Sequence, residues 1–296
     1  MQNTSRTVFD HNRVERMSKP KELSFDEMKD LLFEGLKKFQ KICEDYNLTY
    51  WLMYGTLLGA ARHKGFIPWD DDLDVGMPRE DYEKLLSLAM EGKIDCPDWE
   101  VISWKSHPGY CYPWAKFCNK NTLVTPSRFH TGFLYGLSVD IFIIDNIAGK
   151  TKEEAFRNAD AIRSEFEGYK VLYRSTGVFK TGPYYSLKRF VKKVRYRICC
   201  RKYGAWEDHL RDLEEKIEGI YDENAKFVTY IFDNYKTCIY DYQDFYSDPV
   251  TVEFRGERFP APSRYDQVMT KFYGDYMTLP PVEKQVHRHT ATVIWK

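Results

Sequence analysis

The run of residues 137–145, LSVDIFIID, limits the fold of this chain more than any other part of the sequence. It is apolar at nearly every position, whereas a strand with one face in water alternates apolar and polar residues. The run therefore predicts a strand covered on both faces, inside a domain that mixes helices and strands. One acid, Asp140, interrupts it, and a carboxylate is seldom buried without a partner.

The spacing of apolar residues predicts helices and strands in alternation around this run. A capping box, Ser24 with Glu27, marks the start of the first helix, which reaches about Tyr46. The other elements expected before residue 180 are a strand over 50–54, a short helix over 57–63 that opens at Gly55, a strand over 69–77, a helix from about 82 to 89, and a helix from Thr151 to about 173.

The later part of the chain is predicted to be largely helical. An amphipathic basic helix over 184–202 precedes a more acidic helix over 206–221. Beyond them the sequence predicts a hairpin over 252–259 and a helix that begins near Ser263 and ends at Gly274. The expected organisation is a flexible arm over 1–22 and a single mixed α/β domain over 23–296, with a helical elaboration at about 180–245.

Charge and cysteine content narrow the classes of protein that this chain can belong to. Lys and Arg together number 44, as do Asp and Glu, so the formal net charge is zero. General nucleic-acid binding usually needs a basic excess, and no nucleic-acid partner is therefore expected. No apolar run is long enough to span a membrane. The seven cysteines include no C-x-x-C pair and no secretory signal opens the chain, which favours a cytoplasmic protein with reduced thiols.

The strongest functional signal is the acidic run WDDDLD over residues 69–74. In a strand, Asp70, Asp72 and Asp74 would share one side and Asp71 would lie on the other. Carboxylates two residues apart on a strand repel each other by roughly 3 kcal/mol at ~5 Å with an effective dielectric near 20. A divalent cation relieves that repulsion, and oxygen-only ligands suit Mg²⁺ or Mn²⁺. A solvated acidic turn is the alternative interpretation.

Two short groups near the acidic run suit phosphate binding. Gly55 and Thr56 stand where backbone N–H groups and a hydroxyl could cradle a phosphate at a helix N-terminus. Arg62, His63 and Lys64 form a compact basic group that could meet the phosphates of a donor. Each group also has a structural interpretation, the first as an ordinary turn after a strand and the second as a solvated helix end.

Asp140 links the acidic run to the apolar strand. If the 137–145 strand lies beside the acidic strand, Asp140 joins Asp72 and Asp74, and three carboxylates converge. Three carboxylates can hold one or two divalent ions. The position of Asp140 relative to the other two acids therefore decides the metal hypothesis.

Residues 54–74, YGTLLGAARHKGFIPWDDDLD, resemble the signature of the LicD family. This family includes bacterial phosphocholine transferases and, more distantly, fukutin and fukutin-related protein, which transfer ribitol phosphate. The resemblance extends more loosely through Ala115-Lys116-Phe117, residues 138–142 and the tail over 272–280. It covers about residues 30–145 well and the C-terminal part thinly.

The resemblance implies a nucleotidyltransferase-like core sheet flanked by helices. It implies that Gly55 and Thr56 form a glycine motif, that Asp72 and Asp74 form an Asp-x-Asp pair, and that Asp140 is the third acid. It also implies a CDP-linked donor, such as CDP-choline or CDP-ribitol, and a saccharide hydroxyl as acceptor. The chain lacks the Cys-rich zinc-binding insertion associated with fukutin-related protein, which favours a bacterial glycan such as lipopolysaccharide, teichoic acid or capsular polysaccharide.

The mechanism expected from this resemblance is a metal-dependent transfer of a phospho-group. Asp72, Asp74 and Asp140 would hold Mg²⁺ on the donor diphosphate, where it neutralises the leaving cytidylate and orients in-line attack by the acceptor hydroxyl. One carboxylate, Asp140 or Asp70, would act as general base. The residues expected to contact substrate are Gly55, Thr56, Arg62, His63, Lys64, Asp70, Lys116 and either His287 or His289, which could close over the site.

Two other functions and one further partner fit the same sequence. A glycosyltransferase can also hold a metal and a nucleotide sugar with an Asp-x-Asp pair, and a glycan-binding protein could retain a relic of the site. Product analysis separates the two enzymes, because the phosphate travels with the group in one and stays on the nucleotide in the other. The basic helix over 184–202 suits peripheral contact with the inner face of an anionic membrane, where lipid-linked acceptors are assembled. Its alternative is a solvated face that pairs with the acidic helix over 206–221.

Overall fold

The structure, a computed structural model, describes residues 21–125, 133–173, 191, 194, 197–233, 238–287 and 292–296. Most of the predicted arm over 1–22, much of the predicted basic helix over 184–202, and His289 lie outside the described residues. Lys21 and Glu22 are described, and they pair with the last strand: Trp295 N donates to Lys21 O at 3.0 Å, and Glu22 forms a bridge with Ile294. The last two residues of the predicted arm are thus bound to the domain.

A mixed sheet forms the centre of the described fold. Its main path runs in the order β1-β2-β6-β4-β3, and β7 and β8 extend it along the far end of β6. Strands β2 and β6 are parallel, while the other neighbours are antiparallel. The bounds are β1 Trp51–Leu52, β2 Leu73–Pro78, β3 Trp99–Ile102, β4 Ala115–Asn119, β6 Ser138–Ile147, β7 Phe227–Thr229 and β8 Tyr240–Asp241.

Two antiparallel pairs of strands lie outside this sheet. Strand β5 (Thr122–Thr125) pairs with β11 (Thr292–Trp295), and β9 (Val250–Phe254) pairs with β10 (Glu257–Ala261). The second pair is the predicted hairpin, and Arg255 and Gly256 make its turn with φ angles of 53° and 83°. Positive φ at both turn residues is the geometry of the tight turns that match strand twist.

The described helices cover both faces of the sheet. They are α1 Phe25–Tyr46, α2 Tyr54–His63, α3 Arg79–Met90, α4 Lys152–Tyr173, α5 Trp206–Glu218, α6 Tyr242–Tyr246 and α7 Tyr265–Tyr273. The predicted capping box begins α1: Glu27 N donates to Ser24 Oγ at 3.2 Å, and Ser24 N donates to Glu27 Oε2 at 2.8 Å. No described helix is long and apolar enough to cross a membrane. No disulfide is described among the cysteines.

Strand β6 is covered on both faces, as its composition predicts. Val139, Ile141 and Ile143 enter a core built with α1 and α3, whereas Phe142 and Ile144 enter a second core built with α4 and α5. Alternate side chains of one strand thus serve two apolar layers. A mixed α/β domain with helices on both sides of the sheet is confirmed, and it places Asp140 on the same face as Phe142.

Three local predictions differ from the structure. Strand β2 begins at Leu73, so Asp70, Asp71 and Asp72 lie in the loop before it, and the predicted alternation of their side chains along a strand was wrong. The strand expected over 50–54 is limited to Trp51–Leu52, because helix α2 already begins at Tyr54. The region expected to be a helical elaboration also contributes strands β7 and β8 to the central sheet.

Candidate active site

A row of polar side chains crosses the sheet at the start of β2 and β6. Asp74 of β2 is the register partner of Asp140 on β6, and Asp140 is in turn the partner of Lys116 on β4. Directly opposite residues on neighbouring strands point to the same face. The parallel pairing of β2 with β6 therefore brings together two of the three acids predicted to converge. We call Asp74, Asp140 and Lys116 the charged row.

Helix α2 presents its first turn to the acids. A Cβ placed on Gly55 would lie 2.7 Å from Asp70 Oδ2 and 3.9 Å from Asp72 Oδ1, so only glycine allows the loop to approach this closely. Thr56 is 2% exposed, and its Oγ1 accepts a hydrogen bond of 2.7 Å from Asp74 N. The predicted glycine motif thus lies against the acids, but the Thr56 hydroxyl holds the start of β2.

The chain after α2 folds back along the helix. Gly65 N donates to Gly59 O at 3.3 Å, and a Cβ on Gly59 would overlap Gly65 O. This close approach starts the return that carries the acid loop from the C-terminal end of α2 to its N-terminal end. A pair of glycines therefore makes the acids meet Gly55.

The neighbouring acids lie close enough to Asp74 to affect its pKa. Burial raises the pKa of Asp74 well above its usual range, and the charges of Asp72, Asp140 and Asp70 raise it further, whereas Lys116 opposes them. Asp70, Asp72 and Asp140 therefore lie near the buried carboxylate of Asp74. Three of them were predicted to converge, and Asp70 was predicted to line the same site.

Asp140 is held by several donors. Lys116 Nζ and Ser138 Oγ donate to Oδ1, the latter at 3.3 Å, and Trp114 Nε1 donates to Oδ2 at 3.1 Å. Lys116 is 7% exposed and lies 5.4 Å and 5.1 Å from the ring centres of Tyr112 and Tyr135. Burial disfavours its charge, but the Asp140 carboxylate outweighs that effect and the pKa of Lys116 is raised. Lys116 is therefore a charged partner of Asp140.

The chemistry of this region suits a divalent cation, although the side chains do not form a complete ligand set. Within the described residues, no three His, Cys, Asp or Glu side chains are grouped as metal ligands. The donors are nevertheless all carboxylate oxygens, which Mg²⁺ and Mn²⁺ prefer, and the raised pKa of Asp74 reports negative charge that a cation would neutralise. The residue types and their placement fit the ion, and binding would require side chains to reorient.

The predicted basic group lies at the other end of α2. Nine residues separate Gly55 from Lys64, about 13 Å along a helix axis, and Lys64 is exposed. Arg62 Nη1 donates to Tyr276 O at 2.7 Å and to Thr278 O at 3.3 Å, while its Nε donates to His63 Nε2 at 3.0 Å. Arg62 thus fixes the segment after α7, and the structure does not gather this group around Gly55.

His287 reaches the acid loop from the C-terminal segment. Its Nε2 lies 3.5 Å from Asp71 Oδ2, and its ring packs edge-on against Phe25 with centroids 4.9 Å apart. The contact agrees with the expectation that a late histidine approaches the site. It is made to Asp71, the acid of the 70–72 loop for which no role was predicted.

Several residues of the region were not predicted from the sequence. Lys29 Nζ donates to Pro68 O at 3.0 Å; burial lowers the pKa of Lys29, and the charge of Asp70 opposes that effect. Tyr54 has a φ of 44°, which is rare for a bulky residue, and its hydroxyl donates to Asp233 Oδ2 at 3.0 Å. Burial and the charges of Asp74, Asp70 and Asp72 raise the pKa of the Tyr273 hydroxyl. The tail over 272–280, already part of the family resemblance, was the one signal that could have identified Tyr273.

The fold and the site together define a nucleotidyltransferase-like α/β protein: a mixed sheet, a glycine at the start of a helix, an Asp-x-Asp pair and a further acid on the neighbouring strand. Residues 47–128 match the LicD/FKTN/FKRP nucleotidyltransferase domain. The predicted resemblance to the LicD family is therefore confirmed, and the matched part contains Gly55, Asp72, Asp74 and Lys116.

Similar proteins include transferases of known type. Lipopolysaccharide cholinephosphotransferase LicD of Haemophilus influenzae is 25% identical over 273 residues, which cover 91% of this chain and 97% of that protein. Human ribitol 5-phosphate transferase FKRP is 52% identical over 40 residues, or 14% of this chain and 8% of FKRP. An uncharacterized protein of Rickettsia typhi is 44% identical over 66 residues, or 22% of this chain and 19% of that protein.

Proposed function

We propose that this protein is a metal-dependent phosphotransferase that moves a phosphocholine or polyol-phosphate group from a CDP-activated donor to a hydroxyl of a cell-surface glycan. The observation that carries the proposal is the register pairing of Asp74 with Asp140, with Asp72 and Asp70 close by. The similarity to LicD of H. influenzae along nearly the full length of both chains supports the class of reaction.

In this proposal Asp72, Asp74 and Asp140 hold Mg²⁺ or Mn²⁺. When bound, the ion supplies positive charge to the donor diphosphate and its leaving cytidylate. Lys116 orients Asp140 through the ion pair described above, and with Trp114 it keeps that carboxylate facing Asp74. The strand register that aligns the charged row is thus fixed before substrate arrives, and only side chains must reorient to bind the ion.

The first turn of α2 is the proposed phosphate site. Its leading N–H groups have no partners within the helix and carry the positive end of the helix dipole. Gly55 is the residue that lets the acid loop approach this turn. A donor diphosphate between the turn and the acids would therefore meet backbone donors on one side and the cation on the other.

Proton removal from the acceptor hydroxyl is assigned to Asp70. Both oxygens of Asp140 already accept hydrogen bonds from Lys116, Ser138 and Trp114, which suits a fixed ligand of the ion better than a proton acceptor. Asp70 is half-buried and lies against Gly55 at the start of α2. Arg62 and His287 are assigned a structural role. Arg62 holds the C-terminal segment through Tyr276 O, and His287 attaches it to the acid loop through Asp71.

A donor panel tests the proposal. The purified protein is incubated with Mg²⁺ and with CDP-choline, CDP-ribitol, CDP-glycerol or UDP-sugars, first by thermal shift and then with glycan acceptors, and products are analysed by mass spectrometry. We expect one CDP donor to raise the melting temperature, because a ligand that binds only the native state stabilises it. We also expect CMP release and an acceptor that gains the phospho-group.

Variants connect this activity to the acids. Asp72→Asn with Asp74→Asn should abolish turnover, and Asp45→Asn, on the exposed ion pair with Lys41, is the matched control. Full activity of the double variant would exclude the mechanism. Transfer of a sugar with phosphate left on the nucleotide would assign a glycosyltransferase instead. Glycan binding without consumption of any donor would assign a binding protein.

A further inference from the structure

Two consecutive amphipathic helices differ in the burial of their apolar stripes. In α5, Leu210, Leu213 and Ile217 are buried at 1%, 0% and 0% exposure. In the preceding helix, described at residues 191, 194 and 197–203, Val191, Val194 and Ile198 are 56%, 37% and 58% exposed. Their spacing of three and four residues places them on one helical face. We call this the exposed stripe.

The exposed stripe belongs to the most basic segment of the chain. Residues 184–202 contain no Asp or Glu. Among the described residues of this helix, Arg197, Arg201 and Lys202 are exposed. The Lys and Arg residues of the segment are Lys188, Arg189, Lys192, Lys193, Arg195, Arg197, Arg201 and Lys202.

The ion pairs described for the neighbouring acidic helix join its acids to residues outside the basic helix. The ion pairs described for α5 join Glu214 to Lys105 at 3.0 Å and Asp212 to Lys216 at 2.8 Å. Asp208 pairs with Arg211, within α5 itself, at 3.2 Å. Asp208, Asp212 and Glu214 are thus engaged with partners outside the described part of the basic helix.

We propose that the exposed stripe and its basic neighbours form a docking surface for an anionic lipid bilayer, with the helix lying in the plane of the interface. Such helices place aliphatic side chains at the boundary between headgroups and acyl chains while Lys and Arg attract anionic headgroups. Tyr203, 41% exposed at the end of the same helix, is a residue type favoured at that boundary. The inference does not depend on the proposed transfer reaction.

The positive charge of the basic segment favours an anionic bilayer over a second copy of the chain as the binding partner. Packing two such faces together would oppose two acid-free basic segments, whereas an anionic surface attracts both the charge and the apolar stripe. The surface would hold the enzyme at the membrane without a spanning helix, and none of the described helices can span one. An acidic protein partner and a second copy are outcomes of the test below.

Vesicle co-sedimentation of the full chain tests the proposal. Vesicles are made of phosphatidylcholine alone or with phosphatidylglycerol. We expect binding only to the anionic vesicles, with loss of binding as salt is added, because exposed charges are screened. Arg197→Glu with Arg201→Glu, and separately Val191→Ser with Ile198→Ser, should each lower the partition coefficient by roughly tenfold or more.

The control reverses the same charge elsewhere. Lys37→Glu with Lys41→Glu lies on α1 at the same spacing of four residues and should leave vesicle binding unchanged. Circular dichroism and melting temperature establish that each variant is folded, and transfer to a soluble acceptor tests catalysis separately. Equal vesicle binding of the charge variant, the stripe variant and the wild type would overturn the proposal. Concentration-dependent self-association lost in Ile198→Ser would also overturn it, in favour of a second copy.

Discussion

Asp74 lies directly opposite Asp140 on neighbouring parallel strands, so two carboxylates share one face of the sheet at a spacing of one strand. Lys116 compensates Asp140 from the other side, and the amide of Asp74 is held by Thr56. Asp74 is therefore the member of the charged row whose ionisation the protein compensates least. The first two predictions follow from this asymmetry.

Asp74→Asn should stabilise the metal-free protein at neutral pH. The folded chain raises the pKa of Asp74 above its ordinary value of 3.8, because of burial and the nearby acids. At pH values between the pKa of Asp74 in the unfolded chain and its raised pKa in the folded chain, the folded state keeps a proton that the unfolded chain has lost. Stability therefore falls as pH rises through this range. The variant removes this dependence. Thermal melts in EDTA from about pH 5 to about pH 8 should show a smaller fall in melting temperature for Asp74→Asn than for the wild type. A change of about 1 kcal/mol in stability corresponds to about 2–4 °C.

Added Mg²⁺ should raise the thermal stability of the wild type more than that of Asp74→Asn. The wild type should gain thermal stability, whereas Asp74→Asn should gain little, because the ion relieves a repulsion that the variant lacks. Asp45→Asn should follow the wild type in both experiments, since exposed ion pairs contribute about 1 kcal/mol or less. A less stable Asp74→Asn protein at every pH would contradict the electrostatic account of the charged row.

Lys116→Met should destabilise the protein and impair turnover. The substitution leaves Asp140 beside Asp74 without its cation, and removing one member of a buried ion pair costs about 3–5 kcal/mol. The loss should be at the lower end or below it, because the Asp140 side chain is 19% exposed. Urea denaturation gives the free energy of unfolding.

A double variant isolates the pair. Lys116→Met with Asp140→Asn should recover much of the stability lost by Lys116→Met alone, because no uncompensated charge remains. It should not recover activity. Simple addition of the two single losses would show that the side chains contribute independently.

Gly55→Ala should lower turnover by about tenfold or more, while changing stability little. The new methyl group would lie 2.7 Å from Asp70 Oδ2 and must push the acid loop from the first turn of α2. Such a displacement of reacting groups is costly even at about 1 Å. Initial rates at saturating donor, together with a melting curve, measure the two effects.

Gly168→Ala is the matched control for this substitution. Gly168 also lies in a helix, but a Cβ there meets no atom within 4 Å. The control should keep full activity and gain up to about 1 kcal/mol of stability from helix propensity. Equal activity of Gly55→Ala and Gly168→Ala would remove the glycine turn from the proposed site.

Arg79→Met should destabilise the fold through a different ion pair. Arg79, at the start of α3, pairs with Asp145 near the end of β6, and the side chain of Asp145 is 1% exposed. Loss of the guanidinium would strand a buried carboxylate at a cost of about 3–5 kcal/mol. Chemical denaturation should show the loss, and turnover per folded molecule should be retained because neither residue belongs to the charged row.

The pattern of apolar residues was sufficient to predict the central features of the fold. The LSVDIFIID run predicted that β6 is covered on both faces, and the Ser24 capping box predicted the start of α1. The convergence of Asp140 with Asp74 was a conditional prediction, since it required β2 and β6 to be neighbours. Strand pairing joins residues far apart in sequence, and hydrophobic periodicity does not specify such partners.

Other parts of the site could not be predicted for identifiable reasons. Asp70 to Asp72 seemed to continue the strand because an acidic loop and a strand edge have similar composition, and the turn geometry over 68–69 is visible only in the fold. Lys116 seemed available for phosphate because its pairing with Asp140 depends on the β4–β6 register. Tyr54 and Asp233 are 179 residues apart and meet through a side-chain hydrogen bond with no local sequence signal.

The contact between Gly59 and Gly65 gives the motif over 54–74 a fixed length. The helix travels outward by a set number of turns and the chain returns over the same distance, so outward and return paths must match for Asp70 to arrive at Gly55. Extra residues on either path would separate the carboxylates from the turn and would also move buried side chains, such as Leu57 and Ile67, out of the core. The span of this segment is thereby fixed, whereas its exposed side chains can be exchanged.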